Sequence, residues 1–334
     1  MNDHLTRRLF LKRASSALGV VAFLPAIGKA AVRRKPYTAA YYEHTIVAMG
    51  ATARVGVYAD SEQLADTAIN AAFAELTRLE KIFSVFDPAS ELSKLNQFAG
   101  NGMMPVSHDL FSIIRSAVEY SARSQGAFDI TVEPLMRLWG FRDDPQARIT
   151  APTAEEIHSA LQFVGTHHIA LNASTNGVAL ESAGCKLDLG GIAVGYALDR
   201  MREIMLSHSI ATAFIDISGD ILAMGAPVDN EAGWQVAIPN PDLSGELIYR
   251  TTLRDTALAT SGNYMNFVVY HAQKYGHIMS PTEGASAHAV QSSTAMTSTG
   301  IEADALSTAS FVLGEAIGND RFVFVSNQGV VREA

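Results

Sequence analysis

The chain predicts an α+β fold, a single domain in which mixed sheets and flanking helices are intertwined. Three observations carry this reading. Apolar residues recur at helical spacing over long stretches of the N-terminal half, and strand-like runs dominate after Gly233. No repeat, low-complexity linker or composition break divides the 334 residues into separate units. An apolar fraction of 48% with 18% charged residues suits an ordinary globular core.

The first segment stands apart from that fold. Paired Arg7-Arg8, then Phe10, then a short apolar run from Ala14 to Ile27 ending near Lys29-Ala30-Ala31, reads as a twin-arginine export signal over residues 1–31. The run is too short to span a bilayer stably. Cleavage would leave residues 36–334 as the folded domain, exported to the periplasm with no remaining membrane span. Cys185 is the single cysteine, which excludes an intramolecular disulfide and a thiolate metal cluster. The formal net charge of −9, with no Lys/Arg cluster beyond the N-terminus, argues against a nucleic-acid partner.

Tyr41–Ala48 and Ala51–Tyr58 read as paired strands around Met49-Gly50. A helix follows from Ser61 to Phe83, one side marked by Leu64, Ala68, Ala71, Ala72, Leu76, Leu79 and Ile82. Pro88 closes it, because the residue before proline is pushed out of helical space. Ser90 to Asn96 is a short helical turn, and Asp109 to Ser124 a second amphipathic helix. Pro134 to Pro152 reads as irregular. His168–Leu171 and Val178–Leu180 flank turn formers and make a hairpin.

Leu187–Leu189 then reads as a strand entering a Gly-Gly turn and a helix whose apolar positions are Val194, Ala197, Leu198, Met201, Ile204 and Met205. A strand, glycine turn and helix N-terminus can receive a phosphate, although many proteins use such glycines only to turn. Strands are expected at Thr212–Ile217, Ile221–Met224, Trp234–Ile238, Leu247–Leu253, Asn266–Val269 and His288–Met296. A helix is expected at Ala303–Leu313, and a last hairpin around Asn327-Gln328-Gly329.

The candidate chemistry is carried by a few residues. Asp304 and Thr308 lie four apart on the last helix and project from one face. A carboxylate and a hydroxyl are hard oxygen ligands suited to Mg²⁺, and a carboxylate near a helix start equally serves as a cap. His277 is a candidate base because its ordinary pKa lies near neutrality. Gly126-Ala-Phe128-Asp129 sets an aromatic beside a carboxylate, suited to a heterocycle and equally to a core ring beside a turn. No nucleophile elbow, Walker loop or dinucleotide fingerprint is present.

Taken in order, these pieces resemble the ApbE family of FAD:protein FMN transferases. The motifs are Met49-Gly50, Phe83-Ser-Val-Phe86-Asp-Pro-Ala-Ser90-Glu-Leu-Ser-Lys-Leu-Asn96, Gly126-Ala-Phe-Asp129, Leu138-Trp-Gly140 and Asp188-Leu-Gly-Gly-Ile-Ala193. Ser218-Gly-Asp220, Ala259-Thr-Ser-Gly262, Tyr275-Gly-His277 and Ala303-Asp-Ala-Leu-Ser-Thr308 complete the series.

The resemblance implies FAD as substrate and Mg²⁺ held by Gly191 (through its carbonyl), Asp304 and Thr308. It implies FAD contacts at Met49, Phe86, Ala127, Phe128, Asp129, Asp188, Val194, Ser218, Gly219, Asp220 and Ser261, with His277 as the catalytic base. The implied reaction attaches FMN to a Thr or Ser of a partner flavoprotein and releases AMP. Two departures stand out. The family's G-G-I-A-K-G carries Val194 in place of Lys, and its H-x-x-D-P-x-T-G carries Ser280 and Glu283 in place of Asp and Thr. The alternative is therefore an FAD-binding maturation protein with weak or no transfer.

Overall fold

The computed structural model describes residues 39–142, 148–242 and 245–334. The export segment expected at 1–31 lies outside them. The described chain contains seven α-helices and fifteen strands: β1 Ala40–Ala48, β2 Ala51–Ala59, α1 Glu62–Phe83, α2 Glu91–Phe98, β3 Met103–Pro105, α3 His108–Arg123, α4 Glu133–Leu138 and α5 Ala154–Leu161 come first. They are followed by β4 Ile169–Asn172, β5 Gly177–Leu180, α6 Ala193–Ser207, β6 Ala213–Ile217, β7 Asp220–Met224, β8 Trp234–Pro239, β9 Leu247–Leu253 and β10 Thr256–Gly262. The chain closes with β11 Phe267–Tyr270, β12 Gln273–Gly276, β13 Ser292–Thr297, α7 Gly300–Leu313, β14 Arg321–Val325 and β15 Val331–Glu333.

The fold is α+β, as the periodicities predict. Its frame is an eight-stranded sheet in the order β1-β2-β6-β7-β10-β13-β14-β15, antiparallel at every pairing. Side chains alternate across a strand, so each central strand feeds two cores. Ile215, Ile217, Leu222 and Ala257 point into a core shared with α1 and α6, where Ile69, Leu76 and Met201 are fully buried. Phe214, Ile221 and Leu258 point the other way and meet Trp234 and Val236 of the β8–β9 ribbon. The sheet therefore lies between a helical layer and a two-stranded ribbon.

The helix starts follow from their caps. Ser61, Ser90 and Ser107 each accept an N–H from the first turn of the helix they precede. Thr153 and Glu156 form a reciprocal capping box ahead of α5. Two expected features differ. Leu187–Leu189 pairs with no strand; Asn96 substitutes for a partner, donating Nδ2–H to Leu187 O at 2.8 Å and accepting Leu187 N–H at 2.7 Å. The segment read as irregular after Pro134 begins with helix α4, where proline occupies a first-turn position that needs no N–H.

The register brings several turns to one end of the sheet. The β1–β2 turn at Met49-Gly50 and the β6–β7 turn at Ser218-Gly219 lie side by side, and Ser218 N–H donates to Thr52 O at 3.0 Å. The start of β7 at Asp220 and the end of β10 at Gly262 reach the same end, beside the start of β13.

Candidate active site

At that end of the sheet is a cleft enclosing about 880 Å³, part of it open to solvent. Segments far apart in sequence build its walls. The loop after α3 supplies Ala127, Phe128 and Asp129. The Asn96-braced segment supplies Asp188, Gly190 and Gly191. Strands β7 and β10 supply Asp220, Thr260 and Ser261; the loop after β12 supplies His277 and Met279; and α7 supplies Asp304 and Thr308. Ten of the residues singled out in the sequence thus face one cavity.

The oxygen cluster is the densest part of the cleft. Thr308 Oγ1 lies 3.0 Å from Ser261 Oγ, which is also 2.9 Å from Ser307 Oγ. A Cβ added to Gly191 would sit 3.0 Å from Thr308 Oγ1 and 3.4 Å from the Phe128 ring, so glycine is what lets this backbone approach the hydroxyl. Asp304, 5% exposed, accepts the Gly195 N–H at 2.9 Å, and the Val194 N–H also favours its charged form. Burial nonetheless pushes the Asp304 carboxyl up to about 7. Asp220 rises well above the usual carboxylate range, through burial first and the neighbouring Asp304 charge second. Among the described residues, no Lys or Arg lines the cleft to neutralise them.

That donor set fits Mg²⁺, which prefers a few hard protein oxygens and completes its shell with phosphate and water. Gly191, Asp304 and Thr308 would hold the ion. Among the described residues no group of three or more His, Cys, Asp and Glu side chains offers a second kind of metal site.

His277 lines the cleft half-buried. Its Nδ1 lies 3.3 Å from Asn266 O, a carbonyl that also accepts the His277 backbone N–H at 3.1 Å. With Nδ1–H donating there, Nε2 is left as the acceptor. Desolvation lowers the imidazole pKa, keeping the ring neutral at neutral pH. Ser280 is buried nearby, and its hydroxyl accepts the Glu283 N–H at 3.2 Å, so it closes the turn rather than presenting a charge to His277.

The other expected contacts fall outside the lining. Met49, Ser218 and Gly219 are in the neighbouring turns. Val194 packs its side chain against the helical core and offers only its N–H toward Asp304. Phe86 is 56% exposed and stacks on the Arg142 guanidinium, whose carbon lies 5.0 Å from the ring centroid.

Arg142 was invisible to motif reasoning. It donates to Asp188 Oδ2 and, at 2.9 Å, to Glu133 Oε2, and so ties Phe86 to the cleft wall. Arg137 Nε also lies 2.8 Å from Glu133 Oε1, though without hydrogen-bond geometry. Burial pushes Glu133 up to about 7 even against the Arg142 charge. Its only sequence sign is an acidic residue opening a short helix just before Leu138-Trp-Gly140. Asn96, which closes one of the ordered motifs, and Gly195 are likewise positioning residues, and their contacts show how.

The ApbE family model matches residues 49–323. The chain belongs to the ApbE family. An FAD:protein FMN transferase of Vibrio cholerae is 31% identical over 238 residues, 70% of each chain. One from Treponema pallidum is 29% identical over 288 residues, 82% of this chain and 79% of the relative. The ApbE protein of Thermotoga maritima has a TM-score of 0.80 at 31% identity, covering 88% of this chain and 97% of its own. The apo form of the Pseudomonas stutzeri flavinyl transferase ApbE has a TM-score of 0.78 at 26% identity, covering 90% and 96%.

Proposed function

We propose that this protein is an exported, Mg²⁺-dependent FAD:protein FMN transferase that places FMN on a Thr or Ser hydroxyl of a partner redox protein. One observation supports it above the rest. Gly191, Asp304 and Thr308 converge in the cleft that also holds His277, so oxygen ligands and a neutral base face one cavity. The relatives' shared activity supplies the reaction class.

The chemistry follows from these residues. The acceptor oxygen attacks the FMN-side phosphorus of FAD, the bond to the AMP phosphate breaks, and AMP leaves. His277 Nε2 takes the acceptor's proton, which its lowered pKa leaves it free to do at neutral pH. Bound Mg²⁺ would neutralise charge developing on the phosphates. Phe128, 3% exposed, and Ala127 form an apolar wall against which the flavin or adenine can lie, while Ser261 and Thr260 present hydroxyls. Periplasmic localisation rests on the twin-arginine pattern of residues 1–31. No described helix is long and apolar enough to cross a membrane.

Incubation with FAD, Mg²⁺ and a panel of Thr- and Ser-containing acceptor domains tests the proposal by intact mass. An increase equal to FMN, with equimolar AMP and abolished by EDTA, is the expected result. FAD that stays bound and uncleaved with every acceptor would contradict transfer and favour the FAD-binding maturation role, to which Ser280 in place of the family's Asp points.

A further inference from the structure

The helices that meet beneath the cleft cap one another. Helix α7 carries Asp304 and Thr308, yet the residue preceding it, Thr299, gives it no side-chain cap. Asp199 of α6 does so instead, accepting the Gly300 N–H at 2.8 Å and the Ile301 N–H at 2.9 Å with its two oxygens. Helix α6 is likewise uncapped by Ile192, and Asp304 of α7 accepts its Gly195 N–H. Each helix therefore has first-turn donors satisfied by a carboxylate of the other, which answers the requirement that such donors be paired.

The crossing leaves no slack. A Cβ on Gly195 would lie 2.2 Å from Gly300 O, and a Cβ on Gly300 would lie 2.4 Å from Gly195 O. The backbones are in contact where the two caps exchange. Arg202 Nη2 adds a bond to Ser298 O at 2.9 Å just ahead of α7. A shift of α7 along α6 would break both caps together and carry Asp304 and Thr308 away from Gly191.

We infer that Asp199 is a positioning residue for the metal site. By fixing the start of α7 against α6, it holds Asp304 and Thr308 at the spacing from Gly191 that a divalent cation requires. The inference rests on the proposed metal assignment. A ligating carboxylate works through the groups that orient it, and losing such a partner typically lowers metal affinity about 10- to 100-fold.

Calorimetric titration of the full-length protein with Mg²⁺ alone, beside its melting temperature, provides the test. Asp199→Ala should weaken Mg²⁺ binding by about tenfold or more and lower the melting temperature. Adding Thr299→Asp gives α7 a local cap without restoring the tie to α6. The double variant should recover the melting temperature while Mg²⁺ binding stays weak. Unchanged Mg²⁺ binding in Asp199→Ala, or its return together with stability in the double variant, would overturn the inference and leave Asp199 an ordinary cap.

Asp199→Asn keeps one acceptor for Gly300 but turns an amide N–H toward that of Ile301. It should weaken Mg²⁺ binding in the same direction even if the alanine variant fails to fold, and no weakening counts against the inference. Wild-type protein that binds no Mg²⁺ would remove the metal assignment itself, and the function of the clamp with it.

Discussion

The ribbon face of the large sheet and the cleft at its end bury very different things. On the ribbon side, Trp234 packs with Tyr41, Tyr58 and Phe214 at centroid separations of 5.3 to 6.3 Å, and its indole N–H donates to Met224 O at 3.0 Å. At the cleft end, desolvation raises the cost of ionising both Asp304 and Asp220, the Asp304 charge adds to that of Asp220, and among the described residues no cationic side chain is in the lining. Apolar burial stabilises a fold, whereas an uncompensated buried carboxylate weakens it. The ribbon side explains why the protein is folded. The cleft explains what the folded protein is for.

That contrast predicts opposite responses to substitution. Asp304→Asn should cost transfer more than the about 100-fold typical of losing an outer-sphere partner, because it replaces an anionic ligand with a neutral amide. It should leave the melting temperature of metal-free protein equal or higher, since a buried charge has gone. Kinetics with FAD and an acceptor, beside calorimetry, would check both halves.

His277→Ala should lower kcat by about 100-fold or more without changing FAD affinity. In the wild type the depressed imidazole pKa means that the base stays unprotonated as pH falls through the ordinary histidine range. The acid limb of the kcat profile should therefore lie below the usual value of about 6.5, and a limb above it would argue for another base. Trp234→Ala should do the reverse of Asp304→Asn, losing about 3–5 kcal/mol of stability with turnover per folded molecule unchanged. The smallest effect is expected from Ser280→Asp, which adds a carboxylate near His277 and should raise kcat by no more than about tenfold. No rise would show that the family's Asp at this position is not what limits this chain.

Much of the fold was legible because the residues that signal it are local. Ser61 followed by a helical stripe gives α1 to within a residue, and the turn formers between β4 and β5 give their hairpin. The sequence pattern marks no strand over Thr256–Gly262, yet it is a central one. Its small polar side chains are there to leave room for α7, whose Ser307 and Thr308 hydroxyls meet Ser261. Leu187–Leu189 misleads in the opposite direction. Its strand-like composition reflects burial of Leu187 and Leu189, while its backbone is satisfied by a side chain ninety-one positions away in sequence at Leu187.

The site shows the same division. Asp304, Thr308, Gly191 and His277 were found through ordered motifs, and the cleft unites them. Arg142 and Asp199 act through contacts between elements remote in sequence, for which one chain carries no local pattern.

The most direct test of a cleft built around a cation is the pH dependence of Mg²⁺ binding. With the Asp304 carboxyl raised to about 7, a proton competes with the ion below that pH, and binding releases it. Mg²⁺ affinity should rise between about pH 6 and about pH 8 in the wild type and be lost in Asp304→Asn. Equal Mg²⁺ affinity in the two proteins would contradict the account.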